Sequence, residues 1–243
     1  MLRLILWLTA ALLFACCNES DKTSGGGSDS DGDSDGGSVL CERNDHSGDG
    51  TYYDADGSGN CSFPATPNDL MIAAMNQTDY RESNACGTCI HAVGPEGKVT
   101  LRIVDRCPGC PEGDVDFSPR AFELLAPLEL GRIPITWTYV PCSVTGPVIY
   151  FFDPGSNQWW SSIQVRNHRN EIARFEFQDD DGTWHNLERA NHNFFIYAAG
   201  MGPGPYTIRI TDIHGQTLTD TNIPFNIGEE VPGATQFPDA CAL

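Results

Sequence analysis

Two aspartates in the first half of the chain stand where acid–base chemistry would want them. Asp105 closes the apolar run Ile103-Val104, and Asp116 precedes the Ser118-Pro119 pair that opens a short helical signal. A carboxylate at a strand end faces a loop rim, where binding and catalytic groups gather. Two acids over one groove can divide acid and base roles, as in glycoside hydrolysis. Spacing alone favours a plainer reading, in which Asp105 accepts backbone N–H groups and Asp116 serves a turn. The run Gly50-Thr51-Tyr52-Tyr53-Asp54 adds hydroxyls, flat rings and a further acid. Strand geometry puts Tyr52 and Tyr53 on opposite faces, so at most one of them lines a groove.

A second chemistry belongs to Trp159-Trp160, early in the second half. Flat indoles stack on apolar faces of sugar rings and bury a large area. Adjacent strand positions face opposite ways, so the default is one core and one exposed indole, unless a bulge or loop turns both outward. Trp184 reads as core.

The cysteines offer a third. The chain has 10, of which eight lie from Cys41 onward. Cys86-Gly-Thr-Cys89 and Cys107-Pro-Gly-Cys110 have the spacing of a four-cysteine zinc site. An even count in an exported chain favours disulfides instead, and four further cysteines would be left over by zinc. No metal or other cofactor is therefore expected, and spacing does not say which cysteine pairs with which.

The elements that must hold these groups are mostly strands. Val99–Val104 and Ile133–Val140 alternate apolar and polar residues. Thr66-Pro67-Asn68-Asp69 before Leu70–Met75 reads as a helix N-terminus, and so does Ser118-Pro119 before Arg120–Leu125. Short strands with two small helices suggest a compact β-barrel over residues 41–144. Beyond Thr145-Gly146-Pro147, seven strand-like segments from Val148 to Ile223 follow one another without helices. That pattern predicts a β-sandwich over residues 145–243.

At the N-terminus, Leu4 to Ala15 is an apolar run of twelve residues behind Arg3. It has the length of a signal-peptide core and is too short to span a bilayer. Residues 1–15 are assigned as a signal peptide. Leu13-Phe14-Ala15-Cys16 resembles a bacterial lipobox with Cys16 as the lipidated residue, against an ordinary secretory signal that happens to contain cysteine. Residues 16–40 then form an acidic Gly/Ser/Asp linker, whose composition cannot offset its ordering entropy by burial. The expected location is exported, at the cell surface or secreted, with the membrane met only through the lipid. The net charge of −19 supplies no basic footprint and excludes nucleic acid as a partner. A monomer is expected.

Taken together, these segments resemble the expansins, in particular the bacterial expansin-like proteins. The resemblance rests on Gly50-Thr-Tyr-Tyr53, Gly94-Pro-Glu-Gly-Lys98 and Asp116-Phe-Ser-Pro-Arg-Ala-Phe122 in the first region. In the second it rests on Trp159-Trp-Ser-Ser-Ile-Gln-Val-Arg-Asn-His168, Thr211-Asp-Ile-His-Gly215 and Val231–Pro238. The cysteine-bearing run Val104–Gly113 is similar to barwin-like and fungal expansin-related barrels. The resemblance implies a double-psi β-barrel followed by an immunoglobulin-like carbohydrate-binding sandwich. It also implies binding to cellulose and associated matrix glucans, and non-hydrolytic loosening of plant cell wall. Carried over by position, Asp116 is the essential groove acid, Asp105 its supporting carboxylate, and Thr51 and Tyr53 groove-lining residues. Trp159 and Trp160 become an exposed stacking pair, with His192 at the third platform position and Phe194 or Phe195 as possible substitutes. A basic residue of the family falls near Asp153. The relatives include family-45 endoglucanases, and Asp54 falls at or beside the general-base position of those hydrolases. A weak inverting endo-β-1,4-glucanase using Asp116 and Asp54 is thus one alternative function. A non-catalytic carbohydrate-binding surface lipoprotein is the other.

Overall fold

A computed structural model describes residues 45–239. The segment expected to be a signal peptide, Cys16, the expected acidic linker, Cys41 and Cys241 lie outside them. The described residues belong to one compact unit.

Six strands close a barrel in the order β1-β5-β2-β4-β3-β6. They are β1 (His46–Tyr52), β2 (Ile72–Asn76), β3 (Cys89–Val93), β4 (Lys98–Cys107), β5 (Val115–Phe117) and β6 (Ile133–Val140). Strand β1 runs parallel to β5, and β2 parallel to β4. Alternate residues of β4 and β6 point into a core that includes Leu101, Ile103, Ile135 and Trp137. A short helix, α1 (Gln77–Tyr80), follows β2. The second, α2 (Pro119–Phe122), begins as its sequence suggests: Ser118 accepts the Ala121 N–H at 3.1 Å and proline occupies the first turn.

The expected helix over Leu70–Met75 is instead strand β2. All five of its residues are buried, so it carries no apolar–polar alternation and reads like a helix-forming run. Thr66, read as an N-cap, closes a tight turn, donating its hydroxyl to Asp69 O at 2.9 Å. Pairing on both sides, to β4 and β5, overrides local propensity here.

The second region comprises two sheets. One is ordered β10-β9-β13-β14, from β9 (Ile172–Gln178), β10 (Trp184–Asn186), β13 (Tyr206–Asp212) and β14 (Thr217–Ile223). The other is β11-β12-β8-β7-β15, from β7 (Ile149–Phe152), β8 (Ser161–Arg166), β11 (Glu188–Arg189), β12 (Phe195–Tyr197) and β15 (Glu230–Pro232). Tyr150, Phe152 and Ile163 of one sheet share a core with Phe175, Ile208 and Ile210 of the other. This is a sandwich. Trp184 is only half buried; Arg209 lies over its ring at 4.0 Å while pairing with Glu176, so a cation covers the indole in place of a core.

Among the described residues three disulfides form: Cys61–Cys86, Cys89–Cys142 and Cys107–Cys110. Cys86 and Cys89 thus turn to different partners, and the four-cysteine zinc grouping does not assemble. No helix of the described residues is long and apolar enough to cross a membrane.

Candidate functional site

Strand register brings the two aspartates into one row. Thr51 on β1 pairs with Asp116 on β5; Asp116 pairs with Ala74 on β2; Ala74 pairs with Asp105 on β4. Laterally paired residues present their side chains on the same face of a sheet. The row Thr51–Asp116–Ala74–Asp105 therefore sets two carboxylates two strand spacings apart, roughly 10 Å between Cα atoms. The methyl of Ala74 lies between them. A register shift between Ala73 and Ala74 brings Asp105 into line, which is the usual work of a bulge beside a site.

Each acid is held differently. Asp116 Oδ1 accepts the Thr51 hydroxyl at 2.6 Å. Burial pushes its carboxyl above the ordinary range, Asp105 adds to the rise, and the Thr51 hydrogen bond and Arg132 oppose it. Asp105 Oδ1 accepts two backbone N–H groups, from Asn60 at 2.6 Å and Arg106 at 2.7 Å. The Asn60 loop can approach this closely because position 59 is glycine: a Cβ there would come within 2.4 Å of the Asp105 carboxyl carbon. The plain reading of Asp105 as a backbone acceptor thus describes one of its oxygens. That of Asp116 as a turn residue does not hold, since it sits in strand β5.

Tyr53, two residues beyond Thr51, sits beside the same acids. Its buried hydroxyl lies beside the Asp105 carboxylate and interacts with it, while no partner meets strict hydrogen-bond geometry among the described residues. Burial, then the negative charges of Asp105, Asp116 and Asp56, push the phenol well above its ordinary value. Tyr52 turns away and packs on Phe122, ring centroids 5.1 Å apart. Asp54 is exposed, and the charges that act on Asp116 are those of Arg132 and Asp105.

In the sandwich the two tryptophans lie on a tight turn rather than in strand β8. Asn157 and Trp160 exchange backbone hydrogen bonds at 2.8 and 3.2 Å, and Asn157 Oδ1 accepts the Trp159 N–H at 3.0 Å. Trp159 is thrown out, 71% exposed, while Trp160 is half buried. The loop at Gly200 props the turn: Gly200 has φ +74°, and a Cβ there would strike Trp159 Cα at 2.2 Å. His192 is exposed, its ring 5.6 Å from that of Phe194. Phe194 and Phe195 are both buried, so neither offers an open face in its place. Asp153 accepts the Gly155 N–H at 2.7 Å and caps a turn.

Barrel and sandwich meet through polar groups. Asn60, whose backbone holds Asp105, donates its side-chain amide to Asn191 O at 2.7 Å, and Tyr80 donates its hydroxyl to the same carbonyl at 3.0 Å. Gln164 reaches Cys61 O at 2.8 Å. Arg81 forms a bidentate pair with the buried Glu171 at 3.1 and 2.6 Å. Ala74, Asn60 and Gly200 escape sequence reading, because a small residue or a loop amide carries no chemistry until its neighbours are known.

The described residues thus join a closed barrel carrying a carboxylate row to a sandwich that carries an exposed indole. A family model described as lytic transglycolase matches residues 71–137. The chain is 33% identical over 204 residues to Expansin-YoaJ of Bacillus subtilis, covering 80% of this chain and 87% of that protein. It is 31% identical over 209 residues to Expansin-like protein 2 of Dictyostelium discoideum, covering 79% of this chain and 51% of that one. The crystal structure of the Clavibacter michiganensis expansin superposes with a TM-score of 0.75 at 32% identity, over 80% of this chain and 98% of that one. A mutant of that expansin has been solved in complex with cellohexaose, with the same score. The chain belongs to the expansin family.

Proposed function

We propose that this protein binds cellulose and associated β-glucans and loosens plant cell wall without cleaving it. The observation that carries the reading is the row Thr51–Asp116–Ala74–Asp105, in a chain belonging to the expansin family. Asp116 serves as the groove acid, its carboxyl hydrogen-bonded by Thr51 and partly desolvated, ready to exchange hydrogen bonds with glucan hydroxyls. Asp105 supports it electrostatically, and Thr51 and Tyr53 line the same groove, the Tyr53 hydroxyl beside Asp105 being a donor that a sugar can engage. Trp159 stacks on glucose rings, with Trp160 and His192 extending the surface. On this reading residues 41–144 form the loosening domain and residues 145–243 the cellulose-binding domain. Export follows from residues 1–15, with lipidation at Cys16 ahead of the linker.

Asp54 has no role as a base in this reading. Its exposure, and its absence from the charges acting on Asp116, support a solvent aspartate.

The test pairs mechanical weakening of cellulosic material with detection of new reducing ends on soluble glucan. Weakening without reducing ends, lost in Asp116→Asn, is the expected result. Weakening retained in Asp116→Asn would refute the groove assignment. Reducing ends that vanish in Asp54→Ala would establish the hydrolase instead.

A further inference from the structure

The sulfurs of Cys107 and Cys110 and a carboxylate oxygen of Asp116 all lie within 4.8 Å of one another. We propose that these three residues form a redox-gated site for a thiophilic divalent cation, closed while the disulfide is intact and opened by its reduction. This goes beyond glucan binding and does not depend on it.

The three disulfides differ in ways that single out this one. Cys61, Cys86, Cys89 and Cys142 are all buried, and their bonds close separations of 25 and 53 residues. Cys107–Cys110 closes a separation of 3, so it restrains the unfolded chain least. Both of its cysteines are partly exposed, and Pro108 and Gly109 between them are exposed. Nothing lies within 4 Å of where a Gly109 side chain would project. An incoming thiolate can therefore reach this disulfide, as exchange requires, while the other two are shielded by core.

Breaking the bond would leave the ligands in place. Cys107 is the last residue of β4, paired with Asn76 on β2, and the Cys110 N–H closes a turn onto Cys107 O at 3.2 Å. Asp116 is fixed on β5 between Thr51 and Ala74. One of its oxygens takes the Thr51 hydroxyl, and the other stays available. Two thiolates and one carboxylate on a rigid frame, open to solvent on one side, suit a zinc-class ion with water as fourth ligand.

The electron and proton count is simple. An external dithiol attacks one sulfur, forming a mixed disulfide, and its second thiol displaces the protein thiol. The reductant leaves as a disulfide, and two electrons and two protons pass to Cys107 and Cys110. The divalent cation then displaces the two thiol protons.

Titration of the folded full chain with dithiothreitol, followed by alkylation and peptide mass mapping, tests the gate. Cys107 and Cys110 should be labelled at reductant concentrations that leave the two buried disulfides intact. Cadmium added to the selectively reduced chain should give an ultraviolet thiolate-to-metal band at one ion per chain. Oxidised chain and the C107S/C110S variant should give none. Asp116→Asn should weaken cadmium binding by about tenfold or more, since even outer-shell partners of a metal ligand are worth about 10–100-fold. Reduction of all three disulfides together would overturn the gate. A cadmium band no stronger than that of C107S/C110S, or one unaffected by Asp116→Asn, would overturn the site.

Discussion

The barrel and the sandwich hold their candidate functional side chains in opposite ways. In the barrel, polar groups lie half buried along strands, and register alone aligns Thr51, Asp116 and Asp105. In the sandwich an apolar ring, Trp159, is pushed into solvent from a four-residue turn. Strands suit carboxylates because their spacing is rigid and their hydrogen bonds are met from the sides. Turns suit stacking rings because they can expose a large apolar surface that no strand face next to a core would tolerate. Between the two runs a seam of polar contacts, so the regions should respond to different perturbations.

The largest test is pH, which acts on the seam through His168. His168 belongs to the sandwich, is buried, and lies against Gly87 of the barrel with its Nδ1 donating to Asn170 O at 2.8 Å. Burial, aided by Arg189 and Arg102, lowers its pKa from 6.5 to about 4. Between those values the unfolded chain binds more protons than the folded one, so stability is whole above about pH 6.5 and falls towards pH 4. The full loss is about 3 kcal/mol at 1.36 per pKa unit. Thermal unfolding across that window should show the slope in the parent chain and a shallower one in His168→Asn. Equal slopes would remove His168 from the seam.

Next comes Arg81→Ala, which strands the Glu171 carboxylate. The Glu171 side chain is 7% exposed but that of Arg81 is 40% exposed, so the usual loss for breaking a buried pair is reduced to about 2 kcal/mol. Denaturant midpoints read it directly. A change below about 0.5 kcal/mol would mean that the seam is held by the neutral hydrogen bonds instead.

Trp159→Ala separates binding from stability. Cellulose affinity should fall by about 1.5 kcal/mol, roughly tenfold, with the unfolding midpoint unchanged because the ring is exposed. Trp160→Ala should lower both. A stability loss in Trp159→Ala would place that ring in the packing and weaken the contrast drawn here.

The smallest expected effect is on stability in Tyr53→Phe. Removing a buried hydroxyl with no partner should change folding by no more than about 0.5 kcal/mol, or stabilise slightly. Wall weakening should nonetheless drop, which would show the hydroxyl is kept for a ligand and not for the fold.

How much of this was readable from residues alone depends on range. The Ser118-Pro119 cap and the alternation in β4 and β6 are local patterns and appear as expected. The second region is indeed built of serial strands, but the segment Thr183–Arg189 divides into β10 and β11 of different sheets, and β15 has no counterpart among the expected segments. Family membership also follows from residue order, because long segments match in both regions. Other features were decided only by tertiary structure. Strand β2 has no period to read because the residues on both of its faces are buried. Cysteine partners depend on which loops meet, so Cys86 and Cys89, whose spacing would suit one zinc, part to Cys61 and Cys142. Trp159 and Trp160 differ in exposure because a turn, set by Asn157 and propped at Gly200, replaces the strand that alternation assumes. Asp105 and Asp116 could be named from sequence, but the methyl of Ala74 that keeps them apart belongs to a third strand. Residue types state which chemistry is possible; register across non-neighbouring strands, a non-local property, determines which groups meet.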